Sequence, residues 1–336
     1  MLVLLKGCLI TAIFSAYLKN SISEVDMSGQ YFIAGDWGTS NLRLYLLDES
    51  GSVVDERSGK GIGQLQPGKV ESELFSLIEP WAEMHDGVEI VLCGMVGSTL
   101  GLKEASYVEC PADKSDISRQ ALRFQLRGHG ITIVPGITST SPYGYPDVMR
   151  GEETQILGAI VTDDTFAQGT FLFCLPGTHV KWVLYVNGKI TSILSAISGE
   201  LFSVLSTHSV LFADATEYKD ISASGFMRGV EQTLQSGACN LIHTLFSVRS
   251  SQLRGDITPE EAKSYMSGLI ISADVVGAAE SFRSKSGEVP PIVLIGDDRL
   301  SSLYGQIFDK LGLQFSALNG NAMSISGLYQ LLQLSH

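Results

Sequence analysis

Two short apolar runs rich in strand formers, residues 31–34 and 42–47, flank the polar turn Gly35-Asp36-Trp37-Gly38-Thr39-Ser40. Such runs around a Gly-containing turn predict a β-hairpin. The turn would aim backbone N–H groups and small hydroxyls at one point, which suits a phosphate. Asp36 cannot be the anion binder itself. A carboxylate beside a phosphate is sensible when Mg²⁺ lies between them, usually through water. An ordinary Gly-rich hairpin fits the same residues.

The pattern recurs about one domain's length later. Residues 171–175 read as a strand, Pro176-Gly177-Thr178-His179 as a turn, and 180–186 as a returning strand with Lys181 near its start. Asn187-Gly188 signals a further hairpin into 189–194. Two like hairpins facing each other across a cleft could hold one polyphosphate, and this internal duplication is the main organising feature of the chain.

A chain of 336 residues suggests about two domains of ~100–200 residues each. The expected division is 28–150, 151–320 and a last helix, 321–336, returning toward the first domain. Residues 1–27 stand apart as an extension. They superficially resemble a signal peptide but lack a clean cleavage site, and their apolar run is shorter than the ~20 residues of a membrane span. The net charge of −13 argues against nucleic acid and leaves an anionic substrate to local donors. Five scattered cysteines without Cys-x-x-Cys and six dispersed histidines support neither a disulfide framework nor a zinc site. That usage favours the cytoplasm. No membrane partner is expected, and a homodimer stays open.

Between the hairpins, residues 51–54 lead into a third strand, 70–84 form a helix, and 88–93 form a buried strand. That strand ends in Gly94-Met95-Val96-Gly97-Ser98, a glycine turn where α/β folds place ligands. Residues 131–134 are a strand, and 137–145, rich in Thr, Ser, Pro and Gly, are expected to be a loop. In Asp147-Val148-Met149-Arg150-Gly151-Glu152-Glu153-Thr154-Gln155 the two glutamates open a helix. Acidic residues in a first turn are favoured by the helix dipole, and spacing alone assigns them nothing more. Beyond the second hairpin the chain is mostly helical. A Pro-started helix runs from Thr258 to Met266, a strand at 292–295 ends in Gly296-Asp297-Asp298, and a helix over 322–334 closes the sequence.

Gly-Asp-Trp-Gly-Thr-Ser, Gly-Met-Val-Gly-Ser, Pro-Asp-Val-Met-Arg-Gly-Glu-Glu-Thr-Gln and Leu-Pro-Gly-Thr-His-Val-Lys-Trp-Val together resemble the 2-dehydro-3-deoxygalactonokinase family. The resemblance runs from about Gln30 to Leu334. It implies an α/β fold of two actin-like (ribonuclease H-like) domains, each a mixed five-stranded sheet with flanking helices, closing on an interdomain cleft. It also implies transfer of the γ-phosphoryl of ATP to the 6-hydroxyl of 2-dehydro-3-deoxy-D-galactonate, with Mg²⁺. On that resemblance Gly38, Thr39 and Ser40 form the first phosphate loop, with Asp36 on the metal side. Gly177, Thr178 and His179 form the second, and Lys181 either reaches a phosphate or lies on the surface. Glu152 stands where related sugar kinases carry their catalytic Asp, with Glu153 as runner-up. Gly94, Met95, Ser98, Arg43 and Arg150 are the implied sugar-acid contacts, the arginines supplying the cation a carboxylate needs. Gly296 and Asp297 fall at the adenosine site, where Asp297 or Asp298 bonds ribose or caps the following helix. Thr99-Leu100-Gly101-Leu102 departs from the family's usual Arg-Gln-Gly-Trp, which bears on the identity of the sugar acid. A kinase for another sugar, a phosphohydrolase of the same superfamily and a non-catalytic nucleotide-binding regulator are the alternatives.

Overall fold

The computed structural model describes residues 29–85, 87–212 and 222–334. The extension expected at 1–27 lies outside them. The first hairpin forms as its sequence requires: β1 (Phe32–Trp37) and β2 (Asn41–Leu47) pair antiparallel, followed by β3 (Val53–Lys60). Helix α1 (Val70–Met84) leads to β4 (Glu89–Gly94), which lies parallel to β1. Then come β5 (Tyr107–Glu109), α2 (Lys114–Gln120), β6 (Leu122–Leu126) and β7 (His129–Ile133). The first sheet has the order β3-β2-β1-β4-β7-β6.

Next along the chain are β8 (Gly136–Thr140), β9 (Pro146–Met149) and α3 (Glu152–Thr162). The loop expected over 137–145 is strand over 137–140, and 141–145 form the turn between β8 and β9. Its β-branched residues favour extended backbone. Its small polar side chains are used between sheets: Ser139 Oγ accepts from Ile193 N at 2.8 Å. Strands β5, β8 and β9 make a small third sheet with β9 at its edge.

The second hairpin is β10 (Thr170–Leu175) and β11 (Val180–Val186), followed by β12 (Lys189–Ala196). Helices α4 (Ser198–His208), α5 (Ala223–Ser236), α6 (Leu241–Leu245), α7 (Ser247–Arg254) and α8 (Pro259–Ser281) follow. Thr258 caps α8 in a reciprocal box with Glu261, as its sequence requires. The helix does not stop at Met266, because the apolar run beyond it continues the same buried face. Strand β13 (Ile292–Gly296), α9 (Asp298–Leu311), β14 (Phe315–Asn319) and α10 (Gly320–Gln333) complete the chain.

The second sheet is ordered β12-β11-β10-β13-β14, with β10, β13 and β14 parallel. The first sheet repeats this plan, with β4 and β7 parallel to β1, and adds β6 as a sixth strand on β7. The duplication suggested by the hairpins thus extends to whole sheets.

Alternation along β1 gives the first sheet two buried faces. Ile33 joins a core with Leu42, Leu92 and Trp81 under α1. Phe32 and Ala34 join a second core with Ile156 of α3, Leu328 of α10 and Phe173 of the other sheet. That shared core, built around α3 and α10, joins the two halves. The two helices cross with backbones almost touching: a Cβ on Gly158 would strike Met323 O, and one on Gly327 would strike Thr154 O. Only glycine permits that approach.

Candidate active site

A polar cavity of ≈ 430 Å³ opens between the sheets, and a second of ≈ 540 Å³ lies on the other side of Pro176 and Gly177, which line both. Asp36 stands at the end of β1 in the polar cavity, opposite Arg43 in the hairpin register. Ser324 Oγ of α10 donates to Asp36 Oδ2 at 3.0 Å, and Gln155 Nε2 of α3 donates to Ser324 Oγ at 3.2 Å. Burial raises the Asp36 pKa, opposed by the Ser324 hydrogen bond and the charge of Arg43. Arg43, exposed on β2, lines the cavity as well.

Gly38, Thr39 and Ser40 line the same cavity, and the carbonyls of all three accept from residues 61–64. On the far wall, Gly177, Thr178 and His179 form the turn of the second hairpin. That turn sits on the start of α4: Glu200 N donates to Thr178 O at 2.9 Å, and His179 Nε2 lies 2.7 Å from Glu200 Oε2. Gly94 and Met95 also line the cavity. Ser98 does not; its Oγ donates to Met95 O at 2.8 Å and braces the turn.

Arg150 closes β9. Its guanidinium lies 4.3 Å from the Tyr107 ring centroid, and Nη2 donates to Ala105 O at 2.9 Å. Its Nε and Nη1 are buried without a hydrogen-bond partner. Cationic donors buried without partners are costly, and the residue as a whole lines the polar cavity.

The chain then turns at Gly151, with φ 109°, a conformation open to glycine. The turn sends the two glutamates apart. Glu152 lines the cavity and accepts from Arg150 N at 3.0 Å. Burial raises its pKa, and the charge of Lys181 pulls it back down. Glu153 is fully buried; both its oxygens accept from Gly151 N, at 2.9 and 2.7 Å. Burial, with the neighbouring charge of Glu152, pushes its pKa up to about 8.

Lys181 is not on the surface. It is 8% exposed, and its Nζ donates to Val148 O at 2.8 Å and Ser195 Oγ at 2.7 Å. In the larger cavity, Asp297 accepts from Leu300 N at 2.9 Å and caps α9; Asp298 is the first residue of that helix. Gly296 ends β13 immediately before this cap. Lys263 and Arg299 supply positive charge there, and Ile270 and Tyr304 an apolar wall. Sequence patterns give no sign of Ser324, Tyr107, Lys263 or Arg299, which reach the site from distant elements. Gln155 lies in the Gly-Glu-Glu-Thr-Gln motif, whose pattern gives no sign of the bond to Ser324. Among the described residues no cluster of three or more His, Cys, Asp or Glu could hold a metal.

Two sheets of one plan, a shared helical core and a cleft holding two paired loops define an α/β protein of the actin-like class to which many sugar kinases belong. The profile of the family described as 2-keto-3-deoxy-galactonokinase matches residues 36–331. The "Probable 2-dehydro-3-deoxygalactonokinase DgoK1" of Rhizobium meliloti (strain 1021) is 34% identical over 303 residues, covering 89% of this chain and 95% of the relative. The 2-dehydro-3-deoxygalactonokinase of Escherichia coli (strain K12) is 31% identical over 297 residues, covering 88% and 96%. A crystal structure of a protein so described from Sinorhizobium meliloti superposes with a TM-score of 0.81 at 30% identity, covering 91% of this chain and 99% of that one. The chain belongs to the 2-keto-3-deoxy-galactonokinase family.

Proposed function

We propose that this protein transfers the γ-phosphoryl of ATP to the 6-hydroxyl of 2-dehydro-3-deoxy-D-galactonate. The observation that carries the reading is Arg150, a cation that lines one cavity with Asp36 and Glu152. A sugar acid offers a carboxylate to the arginine and a primary hydroxyl to a base. The reading puts that carboxylate on Arg150, with Arg43 adding charge and Gly94 and Met95 forming the wall. Adenosine occupies the larger cavity, next to Gly296, where Asp297 keeps a second carboxylate oxygen for a ribose hydroxyl beside its capping bond. The phosphates then cross Pro176 and Gly177 between the paired turns, toward Thr39, Ser40 and Thr178.

Asp36 is a single carboxylate, which suits Mg²⁺ held mainly by water and phosphate oxygens. Bound there, Mg²⁺ would offset phosphate charge. Phosphoryl transfer depends mainly on positioning and charge neutralisation. Glu152 accepts the hydroxyl proton as the oxygen attacks phosphorus and the bond to the ADP oxygen breaks. Its Arg150 N–H bond holds the carboxylate in place. Closure of the cleft keeps water from competing as acceptor.

The division at 28–150, 151–320 and 321–336 puts the acceptor mainly in the first domain and the nucleotide in the second. The reaction belongs in the cytoplasm, a placement supported by the free thiols of Cys93, Cys110, Cys174 and Cys239. Among the described residues no helix is long and apolar enough to cross a membrane. A coupled ADP-release assay across several 2-keto-3-deoxy sugar acids tests the reading. ADP should form only with an acceptor present, fastest with the galactonate derivative. Equal ADP formation without any acceptor would replace the kinase by a phosphohydrolase.

A further inference from the structure

Lys181 is too well anchored to be a free phosphate hook. Its ammonium holds the outer edge of β9 through Val148 O, four residues before Glu152, and holds Ser195 Oγ on β12. Ser195 is itself fixed to β9: its Oγ donates to Asp147 Oδ1 at 2.6 Å and its N to Asp147 Oδ2 at 2.7 Å. Asp147 Oδ1 also accepts from Val148 N at 2.8 Å, so both carboxylate oxygens are engaged. Hydrogen bonds to charged groups are the stronger kind, and a buried set with its members paired holds one geometry. The held object is the strand that delivers the Arg150-Gly151-Glu152 turn. The charged groups around Glu152 are Lys181 from β11, Asp36 from β1, and Arg150 and Glu153 beside it in sequence. Lys181 is the cation that reaches this carboxylate from the second sheet.

We propose that Lys181 is a positioning residue that acts through Glu152, clamping β9 to the second sheet so that the carboxylate meets the acceptor hydroxyl. The inference rests on the kinase reading. A displacement of about 1 Å in a reacting group can cost about 10²-fold in rate.

The experiment measures kcat, and KM for MgATP and for the sugar acid, in Lys181→Met, Lys181→Arg and Ser195→Ala. Each is made alone and together with Glu152→Gln. Lys181→Met should lower kcat by about 10²-fold and leave the KM for MgATP unchanged. Lys181→Arg should recover part of that loss. Placed on Glu152→Gln, Lys181→Met should cost little further, because coupled residues are not additive. A raised KM for MgATP with kcat intact would make Lys181 a phosphate ligand and overturn the proposal. A full loss persisting on Glu152→Gln would overturn it too. Should Lys181→Met not fold, Ser195→Ala removes one acceptor and keeps the charge; its smaller kcat loss must still vanish without Glu152. A wild-type protein inert toward every sugar acid would instead sink the kinase reading.

Discussion

The two Gly-Thr hairpins share a plan and differ in the pair of residues that closes each turn region. In the first, Asp36 at the end of β1 faces Arg43 across the ladder. In the second, Leu175 at the end of β10 faces Lys181. The first hairpin keeps acid and base together and opens both to the cleft. The second has the base without the acid, so its cation finds partners elsewhere, on Val148 O and toward Glu152. A duplicated element that carries the base without the acid thus becomes a tie between halves. Asp36 is tied across the molecule in turn, through Ser324 of α10.

The sharpest way to break this comparison is to neutralise the carboxylate that the second hairpin supports. Glu152→Gln should fold normally, bind MgATP and lose at least ~10²-fold in kcat, as expected for a general base. Steady-state kinetics beside thermal melting check this. Near-normal kcat would take α3 out of the chemistry.

Arg150→Met should raise the KM for the sugar acid by about 10- to 100-fold, given about 1.5–3 kcal/mol for hydrogen bonds to a charged group. The KM for MgATP should hold, since the arginine lies on the acceptor side. Equal rises in both KM values would show that Arg150 supports the cleft as a whole.

The turns themselves make the finer comparison. Thr39→Val and Thr178→Val each remove one hydroxyl, worth about 0.5–1.5 kcal/mol, so kcat/KM for MgATP should fall about 2- to 10-fold in each. An effect at Thr39 with none at Thr178 would leave the second turn a purely structural copy.

Glu153→Gln should leave kcat close to wild type and change how stability varies with pH. The wild-type group binds its proton more tightly folded, at about 8, than its ordinary value of 4.5. Its stability contribution is therefore full below the unfolded value and falls as pH rises toward 8. Glutamine does not titrate, so the variant's Tm should gain on wild type between about pH 5 and 8. Parallel Tm profiles across that range would show that the buried carboxyl is not protonated.

Much of this site is legible in the sequence because its signals are local. A glycine turn between apolar runs reports a hairpin wherever it lies, and Gly38-Thr39 and Gly177-Thr178 both line the cleft. The choice between Glu152 and Glu153 was not legible, since it depends on how Gly151 rotates the helix start against the core. The burial of Lys181 is not legible, because nothing near it announces that β9 will pass alongside. The start of the run at 137–145 misleads for another reason: serine and threonine are turn formers in isolation, yet here Ser139 Oγ and Thr140 O both accept from a neighbouring sheet. Residues that arrive from far along the chain, such as Ser324 and Tyr107, leave no local mark.

The tie between Asp36 and Ser324 spans 288 positions. At about 5–20 residues per second, a ribosome needs roughly 15–60 s to travel that distance. Through that interval β1 and its turn exist without α10, the helix that both completes the Asp36 hydrogen bond and packs against α3. Competence to spend ATP is then among the last properties the growing chain acquires, and a product cut short before α10 should be unable to use it.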